Sequence, residues 1–432
     1  MAPDYRLISH RTLKHVVLEI GRYKQISILD NWQHFKHNYA LLLDQCHNLT
    51  SAKLRIIGVA FQIALTYINM LVGYVDMRST PLLVDYELVN PKKILDSFVD
   101  EELSRNKHVN SIKCTFNIES KHDKHPITEV LEELAYSHFT HLDISVDEKA
   151  SHYGNHYLYN QLATRSLQSL SIRNDFVELY DLCRILGANS IGLTSLTATI
   201  LYHDILINQN NGLGLDDNQV RPLNALQTYY HHGRDEADEE NQNDCYRSTM
   251  YEYEGPMYHP ETMSRHIDHF SQVLANHKSL RHLHLINRCD NNHGDHLDEY
   301  MLALDGHFNQ QLAKALRSVC NNKLERIHLE GIELSDIILQ SLHSLTHLSV
   351  TDGSVHVHNI PALCTMIRTN KQLEYLSLYN NHRHLQSIPD HMLTTLLDSL
   401  NESNIKELDI RRNPALEEYL GPRVHSLILV KE

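Results

Sequence analysis

The stretch Asn370–Asn381, NKQLEYLSLYNN, constrains the fold more than any other part of this 432-residue chain. It spaces Leu373, Leu376 and Leu378 as apolar-x-x-apolar-x-apolar and ends on Asn381. Leu376 and Leu378 alternate along an extended backbone and so share one face of a strand. Asn381 stands where that strand ends and can turn the chain while bonding backbone groups. The spacing starts at Leu13, Leu49, Leu83, Val109, Phe139, Leu167, Leu193, Leu223, Leu280, Leu324, Leu345, Leu373, Ile405 and Val424. FTHLDI, LQSLSI, LRHLHL, LERIHL, LTHLSV and LEYLSL match it best. Most successive starts lie roughly 26–36 residues apart, the period of a repeat made of one strand and one helix. An Asn or Asp stands at the position of Asn381 in other units: Asn117, Asp147, Asp175 and Asn413.

Helical patterns fill the intervals. HIDHFSQVLANH puts Ile267, Phe270, Val273 and Leu274 on one face, and FNQQLAKALRSVC does the same with Phe308, Leu312, Leu316 and Val319. IPDHMLTTLLDSL repeats it with Ile388, Met392, Leu396 and Leu397. Strand then helix, many times over, predicts an α/β fold: a parallel sheet with helices on its outer side. Helices are wider than the roughly 4.8 Å between strands, so such a stack curves into a solenoid with the sheet on its concave face. The whole chain, 1–432, reads as one solenoid of about 12–14 irregular units.

On these repeats the chain resembles the leucine-rich repeat superfamily along nearly its whole length. Units with a Cys before the strand, LLLDQCHNLTSAKL and LRSVCNNKLERIHL, look most like the repeat region of the F-box/leucine-rich-repeat proteins. That resemblance implies a substrate receptor of a ubiquitin ligase, with ligase components as partners and the repeats holding the substrate. About a dozen residues precede the first repeat at Leu13, too few for an F-box, so that domain is expected to be absent.

Charge and cysteine content exclude some classes. Against 39 Lys and Arg stand 54 Asp and Glu, a net charge of −15, which disfavours phosphate-backbone binding and hence nucleic acid as a partner. The opening MAPDYRLISH has no apolar signal core. Seven Cys occur without paired spacing. Cys46, Cys183, Cys320 and Cys364 sit in helical apolar contexts and read as reduced packing residues, so the expected compartment is cytoplasmic or nuclear. Ile56–Val75 carries no charge, yet Gln62, Thr66 and Asn69 interrupt it and the repeat register assigns it to a strand and a buried helix rather than to a membrane span.

Two intervals break the period. The one after Leu223 contains an acidic run, Asp235 to Asp244, followed by Tyr246, Met250, Tyr251, Tyr253, Met257 and Tyr258. The one after Leu280 contains NRCDNNHGDHLDEYMLALDGH. Residues 229–263 and 287–307 therefore read as inserted loops. Acidic runs are usually solvated, whereas Tyr and Met are favoured at binding surfaces.

The third, fifth and seventh positions of each unit line the concave sheet. Here they include His141 and Asp143, Arg173, His282 and His284, Arg326, His328 and Glu330, His347, Tyr375 and Tyr379, and Arg411. With Tyr251, Tyr253 and Tyr258 of the first insertion, these are the candidate protein-binding residues, since extended concave surfaces are what solenoids offer partners. His284 and His328 take the same position in successive units, and Arg326 falls between His282 and His347. Protonation of the four histidines near pH 6 would add up to four charges close together.

The 33 histidines invite a metal reading. Arg326 opposes a bound cation, however, no C-x-x-C pair accompanies the histidines, and DNNHGDHLDE fails calcium-loop spacing. No metal or other cofactor is therefore expected. No G-x-S-x-G, H-E-x-x-H or G-x-x-x-x-G-K-[ST] occurs, and the Gly212–Gln219 stretch GLGLDDNQ reads as a turn. The expectation is a non-enzymatic scaffold that binds an unidentified protein, with a ligase receptor or a His-rich metal protein or enzyme as alternatives. Replacing residues 234–258 with a short Gly/Ser linker should leave the repeats folded and weaken capture of the partner in an affinity purification.

Overall fold

A computed structural model describes residues 15–20, 49–57, 83–89, 109–116, 139–146, 152–153, 156–201, 260–287, 299–321, 323–332, 334–352, 355–381, 385, 388–423 and 428–429. Its strands are β1 His15–Ile20, β2 Ser51–Ile57, β3 Leu83–Val89, β4 Val109–Phe116, β5 His141–Val146, β6 His152–Tyr153 and β7 Ser169–Glu178. They continue with β8 Ser195–Leu201, β9 His282–Asn287, β10 Arg326–Glu330, β11 His347–Thr351, β12 Tyr375–Ser377, β13 Glu407–Asp409 and β14 Ile428–Leu429. The described α-helices are α1 His156–Leu162, α2 Leu179–Ala188, α3 Pro260–Ala275, α4 Glu299–Asn321, α5 Asp336–Ser341, α6 Ile360–Thr369, α7 Asp390–Asn401 and α8 Pro414–Leu420.

All strands join one parallel sheet in sequence order, with β6 alone off the path, paired to β7. Each described helix from α1 to α8 packs on the next, forming a second layer over the sheet. The core between the layers is continuous. From the strands it takes Leu283 and Leu285, Ile327 and Leu329, Leu348 and Val350, Leu376 and Leu378, all buried. The helices close it with Phe270, Phe308, Leu312, Leu316 and Leu396. Phe270 and Phe308 stack across the α3–α4 boundary with ring centroids 6.3 Å apart. Strand after strand presents an alternating pattern to this core, as in β5, where Leu142, Ile144 and Val146 are buried. A parallel sheet in sequence order, covered on one side by the described helices, is the α/β solenoid architecture that the leucine spacing predicts.

A spine of backbone bonds holds the units in step. From the unit at Leu167 onward, the residue after the first apolar position of each described unit donates to its counterpart in the described unit before: Gln168 N to Thr140 O, Thr194 N to Gln168 O and Arg281 N to Thr194 O. The series goes on through Glu325, Thr346, Glu374 and Lys406. The far ends of the strands turn by a second periodic device. Asn174, Gly331, Asp352, Asn380 and Arg412 all have φ between 58° and 65°, and each lies seven residues after the first apolar residue of its unit. A Cβ on Gly331 would meet the Asn287 carbonyl oxygen at 2.0 Å, so glycine is obligatory at that corner.

Asn381 works as its spacing predicts. Buried, it donates Nδ2 to the carbonyls of Val350 and Leu378 at 2.8 and 2.9 Å and accepts at Oδ1 from Val355 N. Asn413 repeats this, reaching Leu378 O and Ile410 O at 2.6 and 3.0 Å. Asn117 and Asp147 lie outside the described residues. Asp175 does not end its strand, contrary to the spacing, because β7 runs on to Glu178 with a register shift between Ile172 and Phe176. Asn174 takes over the task and donates to Val146 O at 2.8 Å.

The unit assigned to Leu223 lies outside the described residues, and β8 pairs directly with β9. One further expectation is corrected: α3 begins at Pro260 and α4 at Glu299, so residues 260–263 and 299–307, read from the sequence as loop, are helical. The cores of those insertions, with Tyr251, Tyr253 and Tyr258, lie outside the described residues, as do Cys46 and most of Ile56–Val75. Among the described residues no helix is long and apolar enough to cross a membrane. Leu376 has no exposed surface, so Leu376→Ala should cost about 2–5 kcal/mol in urea unfolding, the range for a leucine truncated in a packed core. A loss well under 1 kcal/mol would contradict the register.

Candidate functional site

The concave face has three rows of side chains, one row for each outward position of the strands. The N-terminal half of the middle row alternates in charge. Lys53 and Arg55 both reach Glu87, at 2.6 and 3.6 Å, and Lys113 lies 3.8 Å from Asp143. Asp85 accepts from Asn110 and Ser111. These opposite charges on adjacent strands meet their partners within the sheet. Glu87 is held below the usual carboxylate range by Lys53, Arg55 and Lys113, although burial alone would raise it. His141 is held at Nδ1 by Thr140.

From β9 onward the face changes character. In the outer row, strand pairing puts Arg326 between His282 and His347, and His347 beside Tyr375. The His347 and Tyr375 rings stack with centroids 5.7 Å apart. In the middle row His284 is the register partner of His328. Their rings lie 3.8 Å apart and within 7° of parallel. Glu330, in the inner row, brings Oε2 to 3.4 Å from His284 Nε2. Thr351 sits 3.0 Å from His328 Nε2. Further on, Asp409 binds Arg411 through both carboxylate oxygens, and Arg411 and Arg412 both flank the Tyr379 ring, at 5.5 and 5.3 Å. Ser377 is on this face, as its alternation with Leu376 and Leu378 requires, but it is covered rather than open. It lies between Ser349 and Asp409 in the register.

The structure thus brings His282, His284, Arg326, His328, Glu330, His347 and Tyr375 onto three adjacent strands and the one beyond. It keeps His141 and Asp143 on β5, and Arg173 on β7, nearer the paired half. Thr351, Thr197 and Thr199 belong to the same face and are buried there. Sequence reasoning passed over the last two because threonine carries no chemistry of its own. Ile286 is buried on this face as well, one of its few apolar residues.

Three of these histidines are harder to protonate than a free imidazole. Burial, reinforced by neighbouring His284 and Arg173, pushes His328 down to about 4. His282 and His347 are lowered by burial and then by Arg326. Arg326 thus lies between two imidazoles whose protonation it disfavours, and with His328 lowered to about 4 the four histidines do not all gain charge near pH 6. The thiols of Cys183 and Cys320 are pushed up to about 12 by burial, which leaves them as protonated packing groups.

No protein-family model matches this chain, and no curated protein matches its sequence. Among solved structures it is similar to a chain in the crystal structure of the Rad7 and Elc1 complex in yeast. That match has 12% identity and a TM-score of 0.47, and it covers 99% of this chain and 82% of that one.

The sign of the pH effect follows from His328. Its folded pKa lies below the ordinary His value of about 6.5, so on acidification the unfolded chain takes up the proton first. Stability is intact above pH 6.5 and falls as the pH drops toward about 4. With a chelator present, the urea midpoint of the wild type should fall between pH 7 and pH 5, and His328→Gln should make that fall smaller. An equal fall in both proteins would show that His328 is not buried as described.

Proposed function

We propose that the protein is a non-enzymatic interaction scaffold that binds a partner protein on the concave sheet from β9 to β13. The observation that carries this reading is the contrast between the two halves of the face. In the N-terminal half, Lys53 and Arg55 pair with Glu87, and Lys113 pairs with Asp143, so a partner would have to break those ion pairs to engage them. The C-terminal half presents a stacked His347–Tyr375 pair, Tyr379 between two arginines, and Arg326 between two imidazoles lowered by burial and by Arg326 itself. Tyr and Arg are enriched at the centres of protein interfaces, where rigid rings and planar guanidinium groups give contact at low entropic cost. Arg326 and Arg412 are exposed and favour an acidic or aromatic surface on the partner.

A ubiquitin-ligase substrate receptor is a second reading. The long units resemble the F-box/leucine-rich-repeat receptors, and Cys320, which precedes β10 in one of them, is buried in the core as a packing cysteine. On this reading the same face would hold the substrate.

Affinity capture with the full chain separates these readings. Tyr375→Ala combined with Arg326→Ala should reduce recovery of the partner about tenfold or more, since interface hot spots each cost upward of about 1–2 kcal/mol. A control on the helical side, Lys314→Ala, should leave recovery unchanged. Co-recovery of a ligase adaptor with the partner supports the receptor reading. If the double variant captures the same partner undiminished, the C-terminal half of the face is not the binding surface.

A further inference from the structure

The groups around His284 leave a specific deficit. Its Nε2 is a buried atom without a hydrogen-bond partner, although Glu330 Oε2 is only 3.4 Å away, outside hydrogen-bonding geometry. His284, His328 and Glu330 each offer a ligand atom, and these atoms all lie within 4.8 Å of one another. For a tetrahedral ion with bonds of about 2.0–2.1 Å, the ligands stand roughly 3.3–3.4 Å apart. The His284–Glu330 separation already matches that edge. We propose that His284, His328 and Glu330 form a three-ligand site for a divalent transition cation of the zinc class.

The donor set selects the ion. Two imidazoles and one carboxylate suit zinc, cobalt or nickel; calcium and magnesium prefer oxygen ligands. The two rings now lie nearly parallel, so their lone pairs do not converge. Binding draws the ring nitrogens together by side-chain rotation, with no change in the strand register that places them side by side. Thr351 at His328 Nε2 supplies the outer-shell bond that fixes a ligating imidazole. Glu330 provides the one negative charge. Arg326 in the outer row and Arg173, which acts on the charge of His328, oppose the cation and keep affinity modest. Three protein ligands leave a fourth position open toward the concave face, the pattern of an exchangeable site rather than a closed structural one.

The site goes beyond the protein-binding reading, and its test uses the chain alone, so either can fail without the other. The full chain, freed of metal with a chelator, is dialysed against cobalt(II). Bound metal is then measured, together with the visible absorption of a four-coordinate cobalt centre. The expected result is a bound cobalt with that absorption, displaced by zinc. His284→Gln and His328→Gln should each remove one equivalent and the absorption, whereas His282→Gln and His347→Gln should keep both. Arg173→Gln should bind more tightly. If a histidine variant fails to fold, as judged by circular dichroism, Glu330→Gln takes its place and should weaken binding at least tenfold. No uptake by the wild type, or uptake and absorption unchanged in these variants, overturns the proposal.

Discussion

The fold rests on a backbone that only neighbouring units can satisfy. A parallel strand bonds to the strand before it and the strand after it, and here the residue preceding each strand joins the same ladder. The constraint is strict, since a buried amide or carbonyl without a partner costs about as much as a lost hydrogen bond. It also propagates. Once one strand's register is set, a left-handed residue seven places into five of the described units returns the chain at the same height in the next. Asn174, Gly331, Asp352, Asn380 and Arg412 thus carry out one geometric task with different side chains. Asn381 and Asn413 then bond the carbonyls that these corners leave turned inward.

Such strict periodicity is why much of the fold was legible in the sequence. Period-two alternation behind a recurring apolar start settles which side of the sheet each residue takes, and hence that His284 meets His328 and that Arg326 falls between His282 and His347. Legibility failed where the period was interrupted. Asp175 fits the pattern, but a register shift in β7 hands its role to Asn174, and no spacing rule signals a bulge. The stretch before Phe308 reads as loop because its Asp, Gly and His residues mask a helix that begins at Glu299. The protonation behaviour of the histidines was beyond reach for a different reason. It depends on how much water each ring loses and on which cation lies beside it, and a one-dimensional pattern encodes neither.

The two halves of the concave face solve the same problem differently. A polar sheet face needs partners for its charges, and the first half finds them across strands, Lys to Glu and Lys to Asp. The second half relies instead on imidazoles that burial makes harder to protonate, stacked rings and a carboxylate bound twice by Arg411. Exposed ion pairs contribute little to stability, so the difference matters more for recognition. A self-neutralised surface offers little to an incoming molecule, whereas one with planar groups held in place loses little entropy when it is covered.

The sequential strand order has a kinetic corollary. In a stack where each unit touches only its neighbours, opening starts from the ends and travels inward one unit at a time. β9 and β10, which carry the paired histidines, stand several strands from either terminus of the sheet. Their amides should exchange with solvent among the slowest in the molecule, while terminal strands such as β13 and β14 exchange sooner. The histidine pair therefore sits where the solenoid breathes least, and its geometry outlasts the fraying of the ends.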